Sequence, residues 1–199
     1  MDIVLIKSEI PYGSNSYLVS DSGEFMLIDP SSSVDFVLKN HPFDTKKLKY
    51  IVLTHTHFDH FLFLDEWVEK TGVIPTVSLE DARGLSNSHY NCYMLFMGRD
   101  LGYQGEYLTV VDSDVILLGK EEIRVIATPG HTVGSISLLH KDAVFVGDTV
   151  FAHNSVGRCD LPGGDYLKLK ESIEKIKALN KNTVVYPGHM EKTTVKDIS

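Results

Sequence analysis

The stretch Thr54-His55-Thr56-His57-Phe58-Asp59-His60 determines the fold that we predict for this chain. It holds three histidines and one aspartate within six consecutive positions. It directly follows the apolar run 50–53, which is short and partly β-branched, as in a buried strand. Residues 61–70 then have helical spacing, with acids early and a lysine at the end. The cluster is therefore predicted on a strand-to-helix loop, where open α/β sheets place their chemistry.

The side chains of this loop suit metal binding better than packing. His55 and His57 project to the same side of an extended segment, because the side-chain period is two. Asp59 and His60 follow at the mouth of the predicted helix and face a neighbouring point. Imidazoles are hard to bury as simple packing, since each ring needs its own hydrogen-bond partners. We therefore predict half of a metal site, with an exposed polar loop as the alternative.

Composition predicts one globular domain over residues 1–199. The net charge of −8 disfavours a nucleic-acid partner, since such surfaces are normally basic. Cys92 and Cys159 are too few for a disulfide framework and lack metal-site spacing. Neither a signal peptide nor a bilayer-spanning apolar run is visible, so we expect a cytoplasmic protein that acts away from membranes.

Residues of ligand type also follow three later predicted strands. One predicted strand runs into His131, another meets Asp148, and the last precedes His189. Four predicted strand ends thus carry seven residues of ligand type: His55, His57, Asp59, His60, His131, Asp148 and His189. Seven ligands exceed the needs of one tetrahedral zinc ion but suit two adjacent ions that share a carboxylate. Asp29 also ends a strand, and we interpret it as a turn or cap carboxylate.

The segment 86–107 is the least patterned part of the chain. It carries five aromatic residues and three glycines. Such a segment covers a pocket, packs a subunit interface or forms a small satellite core. The sequence leaves these three interpretations open.

Taken in order, the motifs resemble those of the metallo-β-lactamase-fold hydrolases, and within them the glyoxalase II-like branch. The stretch 54–60 matches the histidine-rich motif of that family. The run Thr128-Pro129-Gly130-His131 matches its later histidine, Gly147-Asp148-Thr149 its bridging aspartate, and Pro187-Gly188-His189 its final histidine. The resemblance covers nearly the whole chain. It implies an α/β fold, a four-layer αββα sandwich with the site along one edge of the two sheets.

The resemblance also implies a role for each residue. Two divalent ions would be held by two trios: His55, His57 and His131 for the first, and Asp59, His60 and His189 for the second. Asp148 and a hydroxide would bridge them, and Asp59 is the implied catalytic residue because it can orient the hydroxide or accept its proton. Zinc is the expected metal, with iron and manganese as alternatives, since imidazole and carboxylate ligands accept each.

The implied activity is hydrolysis of thioesters such as S-lactoylglutathione, with the bridging hydroxide as nucleophile. Metal binding lowers the pKa of water from roughly 16 toward about 7. His60 and Asp148 argue against most true β-lactamases, which usually lack the bridging aspartate. Arg158 and His153 are candidate substrate contacts, with a structural ion pair and a loop imidazole as the respective alternatives.

Three other activities known on this fold stay open. Persulfide dioxygenases share the motif set but use one iron, held by the residues that match His55, His131 and Asp148. An RNA-processing nuclease or a lactonase ranks below, and the acidic charge disfavours the nuclease. Authentic glyoxalase II has a C-terminal helical domain that holds much of the glutathione, whereas this sequence ends ten residues after His189. We therefore expect a small-molecule acyl substrate without tight glutathione selection, and the oligomeric state is open.

Overall fold

Two six-stranded β-sheets form the centre of the computed structural model, which describes residues 1–198. The first sheet contains, in spatial order, β1 Asp2–Ile6, β2 Ser16–Asp21, β3 Glu24–Ile28, β4 Leu48–Val52, β5 Pro75–Ser78 and β6 Leu108–Val110. The second contains β7 Val115–Leu118, β8 Glu121–Ala127, β9 Ile136–His140, β10 Ala143–Gly147, β11 Val184–Pro187 and β12 Thr193–Thr194. The α-helices are α1 Val34–Asn40, α2 Leu64–Thr71, α3 Tyr93–Met97 and α4 Tyr166–Lys177.

Parallel pairing brings several strand ends to the same edge. Strands β3, β4, β5 and β6 run parallel to one another in the first sheet. In the second sheet β10 and β11 are also parallel. Because parallel strands end at one edge of a sheet, the loops that follow them are neighbours.

Three apolar clusters define the layers. One lies between the sheets and joins residues such as Met26 and Val52 of the first to Leu138 and Phe145 of the second. A second cluster packs the outer face of the first sheet against α1 and α2, with Trp67 fully buried. The third packs β10 and β11 against Ile176 of α4. Helices thus cover both outer faces, and the predicted two-sheet αββα fold is confirmed.

The region after the histidine cluster differs from the prediction. The helix expected over 61–70 begins only at Leu64, and Phe58–His60 forms a separate turn of 3₁₀ helix. The segment before the helix is bonded to distant parts of the chain instead. The Phe58 amide donates to the Asn91 carbonyl and the Phe63 amide to the Pro30 carbonyl. None of the helices described within residues 1–198 is long and apolar enough to cross a membrane.

Candidate metal centre

Four loops bring the seven candidate ligands to one edge of the sandwich. The loop after β4 carries four of them, and the loops after β8, β10 and β11 carry one each. Three groups of side chains have ligand atoms within 4.8 Å of one another: His55, His57 and His131; His55, His60 and Asp148; and Asp59, His60 and His189. The structure therefore brings together all seven residues that the sequence singled out.

The first trio consists of three buried imidazoles. Nε2 of His131 lies 2.8 Å from Nδ1 of His57 and 3.2 Å from Nε2 of His55. The rings meet nearly edge to face, with interplanar angles of 82–89°. Three ring nitrogens thus converge on one point, as the ligands of a single ion must.

The second trio is more open to the cleft and contains an acid. Nε2 of His189 lies 3.1 Å from Oδ2 of Asp59. The same carboxylate oxygen is 3.7 Å from Nε2 of His60, which is fully buried. This trio offers two imidazole nitrogens and one carboxylate, a set that suits zinc, iron or manganese.

Asp148 lies between the two trios. One of its oxygens, Oδ1, is 3.3 Å from Nε2 of His60 in the second trio. The other, Oδ2, is 3.5 Å from Nε2 of His131 in the first trio and 3.6 Å from Nε2 of His189 in the second. A single carboxylate therefore faces ligand atoms of both groups.

Unpartnered buried atoms support the fit of a cation to this cluster. Nε2 of His60 and Oδ1 of Asp148 are both buried and, despite their 3.3 Å separation, neither makes an aligned hydrogen bond. Buried polar atoms normally have a partner, and a pair of this kind calls for an explanation. A metal ion at the cluster would supply one, because it would bind both atoms and replace any proton on the imidazole.

The electrostatics differ between the two trios. Burial, followed by the other histidines, holds the pKa of His55 well below its usual value and lowers that of His57 to about 3. Both rings are therefore neutral, the form that binds metal. Burial also acts to lower the pKa of His60, but the charges of Asp29, Asp59 and Asp148 together raise it well above its usual value. The acidic side of the cluster thus attracts positive charge strongly.

Asp29 is a positioning residue, whereas its sequence context predicts a turn or cap carboxylate. Its Oδ2 accepts hydrogen bonds from Nδ1 of His60 at 2.8 Å and from Oγ1 of Thr54 at 2.7 Å. Its Oδ1 accepts from the Thr54 amide at 2.7 Å. Since the carboxylate only accepts, Nδ1 of His60 carries a proton and Nε2 is left to face the cluster. Asp29 is buried and has a φ of 53°, which only a few residue types tolerate.

Asp81 is a second buried acid, and it belongs to none of the sequence motifs. Its carboxylate accepts from the Thr56 amide at 3.1 Å, between two histidines of the first loop. It also accepts from Oγ1 of Thr132 at 2.7 Å and from the Gly134 amide at 2.9 Å, beside His131. One side chain thus fixes the loops of both sheets. The nearest sequence signal was an acid shortly after a strand, which is common in ordinary turns.

Arg158 contributes to the site through its backbone. Its carbonyl oxygen accepts from Nδ1 of His131 at 2.6 Å, so Nε2 of that ring presents its lone pair to the cluster. The guanidinium makes two bonds of 2.7 and 2.8 Å to the carboxylate of Asp160. The ring of His153 is 72% exposed and pairs with Glu191 at 2.6 Å.

A cleft of about 430 Å³ opens over the cluster. Its floor is formed by five of the candidate ligands: His57, Asp59, His131, Asp148 and His189. Arg158 is among the lining residues, whereas His153 is not among them. Cys92 and Phe96, from the aromatic segment 86–107, form part of one wall. This segment, which the sequence left open, therefore borders the site.

A family model described as the metallo-β-lactamase superfamily matches residues 10–189. The chain belongs to the metallo-β-lactamase superfamily. A probable metallo-hydrolase of Methanocaldococcus jannaschii is 35% identical over 190 residues, which cover 90% of this chain and 89% of that protein. A probable polyketide biosynthesis zinc-dependent hydrolase of Bacillus subtilis is 28% identical over 87% of this chain and 71% of that protein. The protein is accordingly a metallo-hydrolase of this superfamily.

Solved structures of the superfamily share the whole architecture. A protein described as the B3 metallo-β-lactamase BLEG-1 superposes with a TM-score of 0.90 at 27% identity, covering 98% of this chain and 95% of that one. A di-iron-bound form of TTHA1623 has a TM-score of 0.81 at 26% identity, with 98% and 96% covered. ETHE1 from Myxococcus xanthus has a TM-score of 0.74 at 25% identity, with 98% and 80% covered.

Proposed function

We propose that this metallo-hydrolase is a dinuclear thioesterase that acts on small acyl thioesters. The observation that supports two ions is the position of Asp148, whose two oxygens lie within 3.3 to 3.6 Å of histidines from both trios. A single ion has no use for seven converging ligands, whereas two ions that share one carboxylate use them all. The glyoxalase II-like motif order supports the thioester class.

Each residue of the centre has a defined task in this proposal. His55, His57 and His131 would hold one ion, and Asp59, His60 and His189 would hold the other. Bound ions lower the pKa of water to near neutrality and polarise a carbonyl group. Asp59 would orient the attacking water and accept its proton, since its Oδ2 lies on the cleft floor beside His189.

Metal analysis combined with an activity screen tests this function. The purified protein is stripped with a chelator, reconstituted separately with zinc, iron and manganese, and assayed for bound metal by mass spectrometry. We expect about two ions per chain and hydrolysis of S-lactoylglutathione and of acyl N-acetylcysteamine thioesters. The same samples are tested with a chromogenic cephalosporin, because one structural neighbour is described as a β-lactamase. Cleavage of the cephalosporin but of no thioester would refute the proposal.

A persulfide dioxygenase is the second candidate, supported by the similarity to ETHE1 from Myxococcus xanthus. It would use one iron on His55, His131 and Asp148. Nε2 of His131 lies 3.2 Å from Nε2 of His55 and 3.5 Å from Oδ2 of Asp148. The two candidates differ in their need for the second trio. Oxygen uptake on glutathione persulfide that survives His189→Ala, with one iron per chain, would favour the dioxygenase.

A further inference from the structure

We propose that the cleft selects its substrate by an apolar acyl group, which it binds among its hydrophobic lining residues while the thiol half stays in solvent. This inference rests on the proposed thioesterase function and names the substrate class of the same site. It predicts acyl chains of several carbons, or aromatic acyl groups, as better substrates than acetyl or lactoyl groups. Three observations support it.

One wall of the cleft is aromatic. The ring of Phe58 lies 6.2 Å from that of Tyr12 and 5.9 Å from that of Phe96, between ring centres. Phe58 is buried, but Tyr12 is 49% exposed and Phe96 is 51% exposed. Large apolar side chains that stay exposed beside a polar floor are typical of a ligand-binding groove. This wall therefore has free apolar surface to offer a ligand.

Further apolar residues line the same cleft. They include Phe151, Leu161 and Met190; Leu161 packs with Phe58 and Cys92, and Met190 is 38% exposed. The Phe151 ring lies 6.0 Å from the imidazole of His189, so the apolar lining reaches the second trio directly. An acyl chain whose carbonyl lies at the cluster would contact these side chains. Each buried methylene would then contribute about 0.8 kcal/mol of binding.

The charge of the cleft does not suit an anionic thiol such as glutathione. Of the lysines and arginines in residues 1–198, only Arg158 lines the cleft, and it is already paired with both oxygens of Asp160. The nearby Lys7 is bonded to the Met190 carbonyl and to Asn15. Recognition of two free carboxylates normally needs charged partners of its own. The cleft provides apolar contacts instead.

A thioester panel tests the acyl preference. N-acetylcysteamine is a neutral thiol, so its acetyl, butanoyl, hexanoyl and 3-phenylpropanoyl thioesters vary the acyl half alone. We expect kcat/KM to rise about two- to fourfold per added methylene until the cleft is filled. In a second series the acyl group is constant and the thiol is N-acetylcysteamine or glutathione. Equal kcat/KM for acetyl and hexanoyl, or a tenfold preference for glutathione, would overturn the proposal.

Two neighbouring residues of α3 provide a variant and its matched control. Phe96 lines the cleft, whereas Leu95 does not and is 63% exposed. We expect Phe96→Ala to lower kcat/KM about tenfold for the hexanoyl thioester and less than twofold for the acetyl thioester. Leu95→Ala removes an exposed apolar side chain from the same short helix and is expected to leave both values unchanged. Equal effects of the two variants would contradict the proposal.

A binding measurement separates this inference from the proposed function. Butanoate, hexanoate and octanoate are titrated into the metal-loaded protein by calorimetry, with no turnover required. Tighter binding with each added methylene, weakened by Phe96→Ala and not by Leu95→Ala, would support the apolar acyl site. That result without any thioester hydrolysis would refute the thioesterase and keep the acyl site. Thioester hydrolysis without chain-length dependence in either assay would refute the apolar acyl site and keep the thioesterase.

Discussion

Replacing Asp29 by asparagine should weaken metal binding, although Asp29 is not one of the seven candidate ligands. The carboxylate accepts three bonds of 2.7 to 2.8 Å, two from Thr54 and one from Nδ1 of His60. Asparagine keeps one acceptor oxygen and turns the other into a donor. If the new NH₂ group takes the place of Oδ1, it faces the Thr54 amide, which is a donor. If it takes the place of Oδ2, it faces the donor Nδ1 of His60. Asparagine is also suited to the φ of 53° at this position, so the backbone is not the cause of any loss.

The expected magnitude follows from these contacts. A buried donor that loses its acceptor costs about 1–3 kcal/mol, and more where the acceptor was charged. Part of this cost appears in the metal-free protein as a lower free energy of unfolding. The remainder appears in metal binding, because Nε2 of His60 is no longer held toward the cluster. Loss of such a supporting carboxylate typically weakens metal binding about 10- to 100-fold.

Chelator competition measures the metal dissociation constants, and urea unfolding in the presence of a chelator measures the stability of the metal-free protein. Asp35→Asn makes the same chemical change on an exposed residue in the first turn of α1. It should leave metal binding unchanged and lower the free energy of unfolding by less than about 1 kcal/mol, the contribution of an acid to the helix dipole. Asp29→Asn is expected to change both. A variant that is less stable but binds metal within twofold of the wild type would refute the role of Asp29 in orienting His60.

Three further perturbations address the centre itself. Asp148→Ala should lower the bound metal below two ions per chain and reduce kcat by about a hundredfold or more, measured by mass spectrometry and the thioester assay; full metal content would exclude the bridge. Asp59→Asn should retain more metal than Asp148→Ala while kcat falls about 10²- to 10⁴-fold, since proton acceptance is lost; turnover like that of the wild type would exclude Asp59 as the base. Gly188→Ala should also lower metal content, because its new Cβ would collide with Oδ1 of Asp148 and Cε1 of His60. Gly72→Ala, at a φ of 70° with open space around it, is the control: it should cost about 1–2 kcal/mol of stability and no metal.

The ligands were predictable from the sequence because each follows a strand on a short turn. The apolar run before His55 and the turns before His131, Asp148 and His189 are local signals, and the structure gathers these residues at one edge. No local pattern indicates which strand ends are neighbours, and parallel pairing of the strands is what brings these ends together.

The supporting residues were not predictable in this way. Asp29 lies 31 positions before His60, and the run Asp29-Pro30-Ser31 has the composition of an ordinary turn. Only the pairing of β3 with β4 brings the two side chains together. His153 shows the opposite failure, since it is close to Arg158 in sequence but its exposed ring pairs with Glu191. Sequence proximity carries no information about that pairing.

The ligands of each trio come from both sheets, and this has a consequence for folding. The loop after β4 belongs to the first sheet, whereas His131 and His189 follow strands of the second. A bound ion therefore links the sheets at one edge as a removable cross-link that exists only in the folded chain. Free metal at a hundred times its dissociation constant would add about 2.7 kcal/mol to the free energy of unfolding. The melting temperature of the protein should therefore rise with the concentration of free metal. Chelation should first increase hydrogen exchange in the loops that this cross-link holds together.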